Sequence, residues 1–166
     1  MTVAMIAIAT MTLVAGMVDD LRSRKVHNAL VLSLFAMVTA ANFYFRGFDG
    51  LMTGGMAMIL ALIITIPLFA LRILGGGDVK LFGVFALAVD PTSMFWTLVY
   101  SIIWGAAFGL TRAALQNQLS ILVRNTVRAA SRQKLQTQEI HKIPYTFALL
   151  LGWFTQLTLM RAGGFL

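Results

Sequence analysis

The sequence predicts an all-α membrane protein, a polytopic helix bundle of about six membrane segments, and three observations lead to this prediction. Hydrophobic residues make up 59% of the 166 residues and charged residues only 11%, whereas soluble domains carry roughly 25% charged residues. The apolar residues also fall into separate runs that are interrupted by charge, Gly or Pro. Finally, six spans of roughly 20 residues each would use almost the whole chain. We therefore expect a single membrane-embedded domain over residues 1–166.

Length and flanking residues distinguish the apolar stretches from one another. In chain order they cover residues 2–18, 29–45, 51–71, 79–89, 94–110 and 143–160. No Lys or Arg precedes the first stretch, and no small-residue cleavage site follows it, so we interpret it as a retained helix rather than a signal peptide. The fourth stretch, at about eleven residues, would span only about 16 Å as a helix. We expect it either to thin the bilayer locally or to enter and return on the same side.

The distribution of Lys and Arg predicts the topology. Alternate loops carry eleven and two of these residues, and cytoplasmic loops of membrane proteins are the ones enriched in positive charge. Both termini are therefore expected outside. The segments around Asp20, Asp78 and residues 112–142 are expected in the cytoplasm.

Residues 112–142 form the only long polar segment. Arg124, Arg128 and Arg132 recur at four-residue spacing, opposite a face that includes Leu115, Leu119 and Leu122. Such a pattern is typical of a basic amphipathic helix on an anionic leaflet, and a solvated connecting helix would produce it equally well. Because basic residues in a membrane protein usually mark cytoplasmic loops and anionic lipid contacts, we do not expect nucleic acid as a partner.

Composition also limits the chemistry that the chain can perform. It contains no cysteine and only two histidines, which excludes disulfides, thiol nucleophiles and Cys zinc sites and leaves metal chemistry poorly supported. We expect neither a metal nor a cofactor.

Carboxylates at helix ends are the candidates for function. Asp49 and Asp90 fall in short outside turns, where capping is the natural role, whereas Asp19, Asp20 and Asp78 lie at predicted cytoplasmic helix ends. Two carboxylates at one site cannot both ionise easily, so one keeps a proton while the other acts as a base. That pairing suits an aspartic protease.

Simpler roles also account for these residues. An aspartate at a helix end is often a cap or an ion-pair partner, Gly75, Gly76 and Gly77 could form a plain turn, and Lys80 could anchor a span. From the residues alone, protease, transport and scaffold roles stay open.

Two motifs give the chain a family resemblance. Asp20-x-Arg22 followed by Val26-x-Asn28, and Gly75-Gly76-Gly77-Asp78-Val79-Lys80 some fifty residues later, resemble the prepilin peptidases, membrane aspartic proteases with a Gly-x-Gly-Asp motif. The compact, cysteine-free chain is most similar to the short members that serve tight-adherence (Flp-type) pilus systems. Residues 142–149, "KIPYTFAL", also resemble the final helix of that family.

The resemblance implies site residues and a substrate. Asp20 and Asp78 correspond to the two catalytic aspartates, and Asp19 is then the non-catalytic neighbour, because Asn28 follows Asp20 at the family spacing. The expected supporting residues are Gly75, Gly76, Gly77, Lys80, Arg22 and Asn28, and the three glycines are expected to give an extended substrate room to approach the backbone closely. The implied substrate is the transmembrane helix of a prepilin or pseudopilin, whose N-terminal leader is removed at the cytoplasmic face of the bacterial inner membrane. Nothing in the sequence suggests a methyl-donor pocket for the second activity of the long family members.

The chain departs from the family pattern at two positions. His27 stands where a Pro usually precedes the Asn, which implies a less rigid entry to the second helix, and Phe147 stands where a second Pro is common.

Two other functions remain as alternatives. One is a small transporter or proton-conducting subunit that uses the same aspartates, although carboxylates at the membrane edge argue against it. The other is a catalytically silent assembly factor, against which the retained pair of aspartates speaks.

Overall fold

The structure is a computed structural model that describes residues 2–115 and 145–163, and these residues fold into helices without a strand. In chain order the helices are α1 (Val3–Ser23), α2 (Asn28–Ala70), α3 (Gly76–Ala88), α4 (Pro91–Leu115) and α5 (Tyr145–Ala162). The all-α prediction is confirmed for the described part of the chain. The predicted lipid-binding residues Arg124, Arg128 and Arg132 lie outside the described residues.

Helix α2 is a hairpin rather than one straight rod. Gly47 has non-helical torsion angles, φ 64° and ψ −155°, and a positive φ suits glycine because it has no Cβ. Across this break the buried Asn42 side chain donates a hydrogen bond to the Leu87 carbonyl, and Gly54 lies against both groups. Twelve residues of straight helix would separate Asn42 from Gly54 by about 18 Å. The chain therefore reverses at Gly47, so that residues 28–46 and 48–70 lie side by side.

Three of the described helices are long and apolar enough to cross a membrane: Val3–Ser23, Asn28–Ala70 and Pro91–Thr111. At 43 residues, α2 would be about 65 Å long if straight, roughly twice the hydrocarbon thickness of a bilayer. The chain is thus a membrane protein by the length and composition of its helices. The count of six membrane segments and the placement of both termini outside stay predictions.

Helix α3 lies at the centre of the bundle and contacts each of the other four described helices. Every residue from 81 to 89 is buried, as is Val79, whereas Lys80 is exposed; a helix that is apolar all round is typically a buried one. The Phe85 ring packs against Phe82 and edge-on against Trp153 of α5, with ring centroids 5.7 Å and 5.1 Å apart. Protein therefore surrounds residues 81–89 of the short fourth stretch, which explains their apolar sequence without exposure to lipid.

Small residues allow the outer helices to approach closely. A Cβ on Gly152 of α5 would lie 2.6 Å from the Ser101 amide nitrogen and 2.7 Å from the Thr97 carbonyl oxygen of α4. Side chains also join the helices, since the Trp153 indole donates to Thr10 Oγ1 at 2.9 Å and the Asn42 amide donates to α3. These contacts join α5 to α4 and to α1, and they join α2 to α3.

Candidate active site

The site lies at the end of the bundle where α1 ends and where α2, α3 and α5 begin. Asp20 is in the last turn of α1. Arg24, the residue that caps the end of this helix, adopts the left-handed conformation with φ 54°. The Arg24 amide closes this turn by donating to the Asp20 carbonyl at 2.7 Å. The Asp20 carboxylate is directed to α5, where the Thr146 hydroxyl donates to its Oδ2 at 2.9 Å. Thr146 is fully buried.

Asp78 is in the first turn of α3 and lies outside the three candidate spans. Its carboxylate accepts a hydrogen bond from the Gly75 amide at 3.2 Å. Burial, together with the negative charge of Asp20, raises the pKa of Asp78 from 3.8 to about 6, although the Gly75 hydrogen bond acts in the opposite direction. Asp20 and Asp78 therefore interact electrostatically, and Asp78 is the member that holds a proton more readily than an ordinary carboxyl.

Close packing of α1 on α3 brings the two carboxylates to one place. Gly16 of α1 lies directly against the Leu81 side chain, and both residues are buried. Asp20 follows Gly16 by one helical turn and Asp78 precedes Leu81 by about one turn. Because α1 runs toward the site and α3 runs away from it, both steps lead to the same end of the bundle.

Asp19 has a different partner from Asp20. Its carboxylate accepts the His27 backbone N–H at 2.8 Å and lies 2.9 Å from the His27 ring Nδ1. A proline at position 27 has no N–H to donate, so this double contact depends on the departure from the family pattern. The entry to α2 was expected to be less rigid without that proline. In the structure, the contacts between His27 and Asp19 connect this entry to α1.

The three glycines lie where the start of α3 meets neighbouring chain. Gly75 precedes the helix and supplies the amide that binds Asp78. A Cβ on Gly77 would lie 3.1 Å from Val26 Cβ, and one on Gly76 would lie 3.3 Å from the Phe69 ring. Both distances are tighter than ordinary van der Waals contact. Gly76 and Gly77 thus permit close packing of the chain on itself, while room for a substrate at these glycines stays a prediction.

Of the other three predicted supporting residues, two contact each other and the third does not contact them. Lys80 donates to Asn28 Oδ1 at 2.9 Å, a contact that joins the start of α3 to the start of α2. Arg22 is exposed in the last turn of α1 and makes no side-chain hydrogen bond or ion pair to the residues that the structure describes. Within residues 2–115 and 145–163 no group of three His, Asp or Glu side chains could hold a metal ion.

Comparison with known families gives one match. Residues 7–110, well over half of the chain, match the model of the type IV leader peptidase family. The chain belongs to the type IV leader peptidase family. This match confirms the resemblance given by the two motifs, and it includes Asp19, Asp20 and Asp78. No curated protein and no solved structure matches the chain.

Two residues of the candidate site were missed in the sequence. Thr146 lies in the "KIPYTFAL" stretch that resembles the final family helix, but a threonine beside apolar residues carries no sign of its partner 126 positions away. Gly16 lies inside an apolar run, and its contact with Leu81 depends on how the helices pack. A glycine one turn before a candidate aspartate was the signal that could have indicated close helix approach.

Proposed function

We propose that this membrane peptidase is an aspartic endopeptidase that removes the N-terminal leader of prepilins or pseudopilins at the cytoplasmic face of the bacterial inner membrane. The observation that supports it most is the unequal pair of carboxylates. Asp78 is partly buried beside the charge of Asp20, which raises the pKa of Asp78 to about 6. Aspartic proteases depend on two carboxylates in such different states.

Hydrolysis by this pair needs one water molecule and no covalent intermediate. The ionised carboxylate takes a proton from water as the water oxygen bonds to the scissile carbonyl carbon, and the protonated carboxyl passes its proton to the carbonyl oxygen. The carbon–nitrogen bond then breaks. The departing amine takes the proton that came from water, and one hydroxyl proton of the intermediate returns to the second carboxylate. Both aspartates end as they began, and one water is consumed per bond.

The flanking charges support a cytoplasmic location for the site. Arg22, Arg24 and Lys25 follow Asp20, while Arg72 and Lys80 flank Asp78, and positive residues accumulate in cytoplasmic loops. The native chain has no cysteine, so single cysteines can report the side directly. A cysteine at Arg24 should react with a membrane-impermeant reagent only from the cytoplasmic side, and one at the exposed Phe48 only from the other side. The reverse pattern would refute the orientation.

The position of the carboxylates disfavours the transport alternative. Asp20 and Asp78 lie in the last turn of one helix and the first turn of another, whereas acidic residues that conduct protons line a path through the membrane. No contact in the described bundle favours proton conduction over hydrolysis.

The test is cleavage of a full-length prepilin by the purified protein in lipid nanodiscs, followed by the mass of the new N-terminus. Wild-type protein should release the leader at one bond. Proton flux in liposomes that contain the same protein should equal that of empty liposomes. Flux that depends on Asp78, together with absence of cleavage, would replace the peptidase with the transporter.

A further inference from the structure

The Thr146 side chain makes a contact that the two-aspartate scheme does not require. Thr146 is fully buried near the start of α5, and its hydroxyl donates to Asp20 Oδ2 at 2.9 Å. Threonine hydroxyls in helices commonly donate to a carbonyl of the preceding turn, as Thr155 does to the Leu151 carbonyl and Thr158 to the Thr155 carbonyl in the same helix. Thr146 instead donates across the bundle to a carboxylate, and it lies outside the family match over residues 7–110.

The two aspartates receive different hydrogen bonds. Asp20 accepts a hydroxyl proton at 2.9 Å, and Asp78 accepts a backbone N–H at 3.2 Å, the long end of the usual range. A hydroxyl group has one proton to donate, and a donor directed at a carboxylate favours the ionised form of that carboxylate. Burial acts on Asp78 in the opposite sense. The hydroxyl therefore fixes the orientation of the Asp20 carboxylate, while burial favours the protonated form of Asp78.

We propose that Thr146 is a positioning residue that orients the Asp20 carboxylate, so that Asp20 is the base and Asp78 the acid of the pair. This inference rests on the proposed peptidase function and assigns roles that the function alone leaves open. With Oδ2 held by Thr146, Oδ1 of Asp20 is the oxygen that takes the proton from water. Asp78 then donates its proton to the carbonyl oxygen of the substrate.

Three other polar groups at this end of the bundle have partners of their own. Asp19 is bound to His27, Lys80 is bound to Asn28, and the Tyr145 hydroxyl is 2.8 Å from Ser101 Oγ. The titratable and charged groups that the structure describes here are Asp19, Arg22, Arg24, Lys25, His27, Arg72, Asp78, Lys80 and Tyr145. Thr146→Val removes a hydroxyl and none of these groups, so a change in kcat can be attributed to the lost contact with Asp20.

The test compares Thr146→Val, which keeps the shape but loses the hydroxyl, with Thr146→Ser, which keeps the hydroxyl but loses a methyl group. The kcat and KM of prepilin cleavage are measured for both in nanodiscs, with thermal unfolding as a check on folding. We expect Thr146→Val to lower kcat about tenfold with little change in KM. Thr146→Ser should keep the wild-type kcat and KM. Thr158→Val, which alters an exposed hydroxyl of the same helix, is the matched control and should have no effect.

Each outcome bears on one claim. A wild-type kcat in Thr146→Val would refute the role of Thr146, and so would equal effects of the Val and Ser variants, which would indicate packing alone. Failure of the wild-type protein to cleave would instead refute the proposed function. Cleavage that survives Asp20→Asn would also count against that function rather than against Thr146 alone.

Discussion

The contact between Gly16 and Leu81 determines how closely α1 approaches α3, so a methyl group at position 16 should disturb the site from a distance. A Cβ there would lie 2.6 Å from Leu81 Cδ1 and 2.9 Å from Leu81 Cγ, whereas carbon atoms pack best at about 3.5–4.0 Å. Leu81 is fully buried and cannot swing into open space. Gly16→Ala should therefore cost about 1–3 kcal/mol of stability, the usual range for an overpacked core.

The size of the effect can be tested with a double-mutant cycle. Leu81→Ala alone should cost about 2–5 kcal/mol because it leaves a cavity. In Gly16→Ala/Leu81→Ala the new methyl group enters that cavity, so the combined loss should fall short of the sum by about 1 kcal/mol or more. The measurements are denaturant unfolding in mild detergent and the prepilin cleavage rate. Gly16→Ala should reduce both, and the double variant should recover part of the cleavage lost by Gly16→Ala.

Gly55→Ala is the matched control, since a Cβ at that position meets no atom within 4 Å. It should be neutral or slightly stabilising, because alanine is the better helix former. Losses at Gly16 and Leu81 that simply add, within about 0.5 kcal/mol, would refute the claim that this contact sets the distance between the two helices.

Three further predictions concern the site itself. Because the folded pKa of Asp78 is about 6 against 3.8 for an ordinary carboxyl, its contribution to stability is full below pH 3.8 and is lost as the pH rises through 6. Asp78→Asn should thus gain up to about 3 kcal/mol on wild type between pH 4 and pH 8 in unfolding experiments, and a difference that does not change with pH would contradict the raised pKa of Asp78. Gly77→Val should lose most prepilin cleavage at normal membrane levels, since its Cβ would lie 3.1 Å from Val26 Cβ. Gly109→Val is the control, because a Cβ there meets no atom within 4 Å, and equal activity of the two variants would refute the prediction. Lys80→Met and Asn28→Ala should each cause a smaller loss of cleavage, and the double variant should lose no more than either, because one hydrogen bond is removed in all three; additive losses would indicate separate roles.

The sequence was sufficient for the fold class and the family because both depend on local pattern. An apolar run predicts a helix whatever that helix packs against. The sequence spacing of Asp20, Asn28 and Asp78 is likewise independent of how the helices pack.

Features that depend on distant contacts could not be predicted in this way. An eleven-residue apolar stretch looks the same whether lipid or protein surrounds it, so the central position of α3 emerged only from packing. Thr146 and Gly16 have ordinary neighbours in the sequence and acquire their roles from Asp20 and Leu81 on other helices. The glycines before Asp78 were expected to give a substrate room, yet Gly76 and Gly77 already pack against Phe69 and Val26.

The most direct test of the two-aspartate site is the cleavage rate of one prepilin by four purified proteins in nanodiscs, measured by mass spectrometry of the released leader. Wild type and Asp19→Asn should cleave at comparable rates, because the Asp19 carboxylate is directed to His27. Asp20→Asn and Asp78→Asn should each lose cleavage by about a thousandfold or more while the proteins stay folded. Sustained cleavage by either of these two variants, or an inactive Asp19→Asn beside an active Asp20→Asn, would contradict the assignment of Asp20 and Asp78 as the catalytic pair.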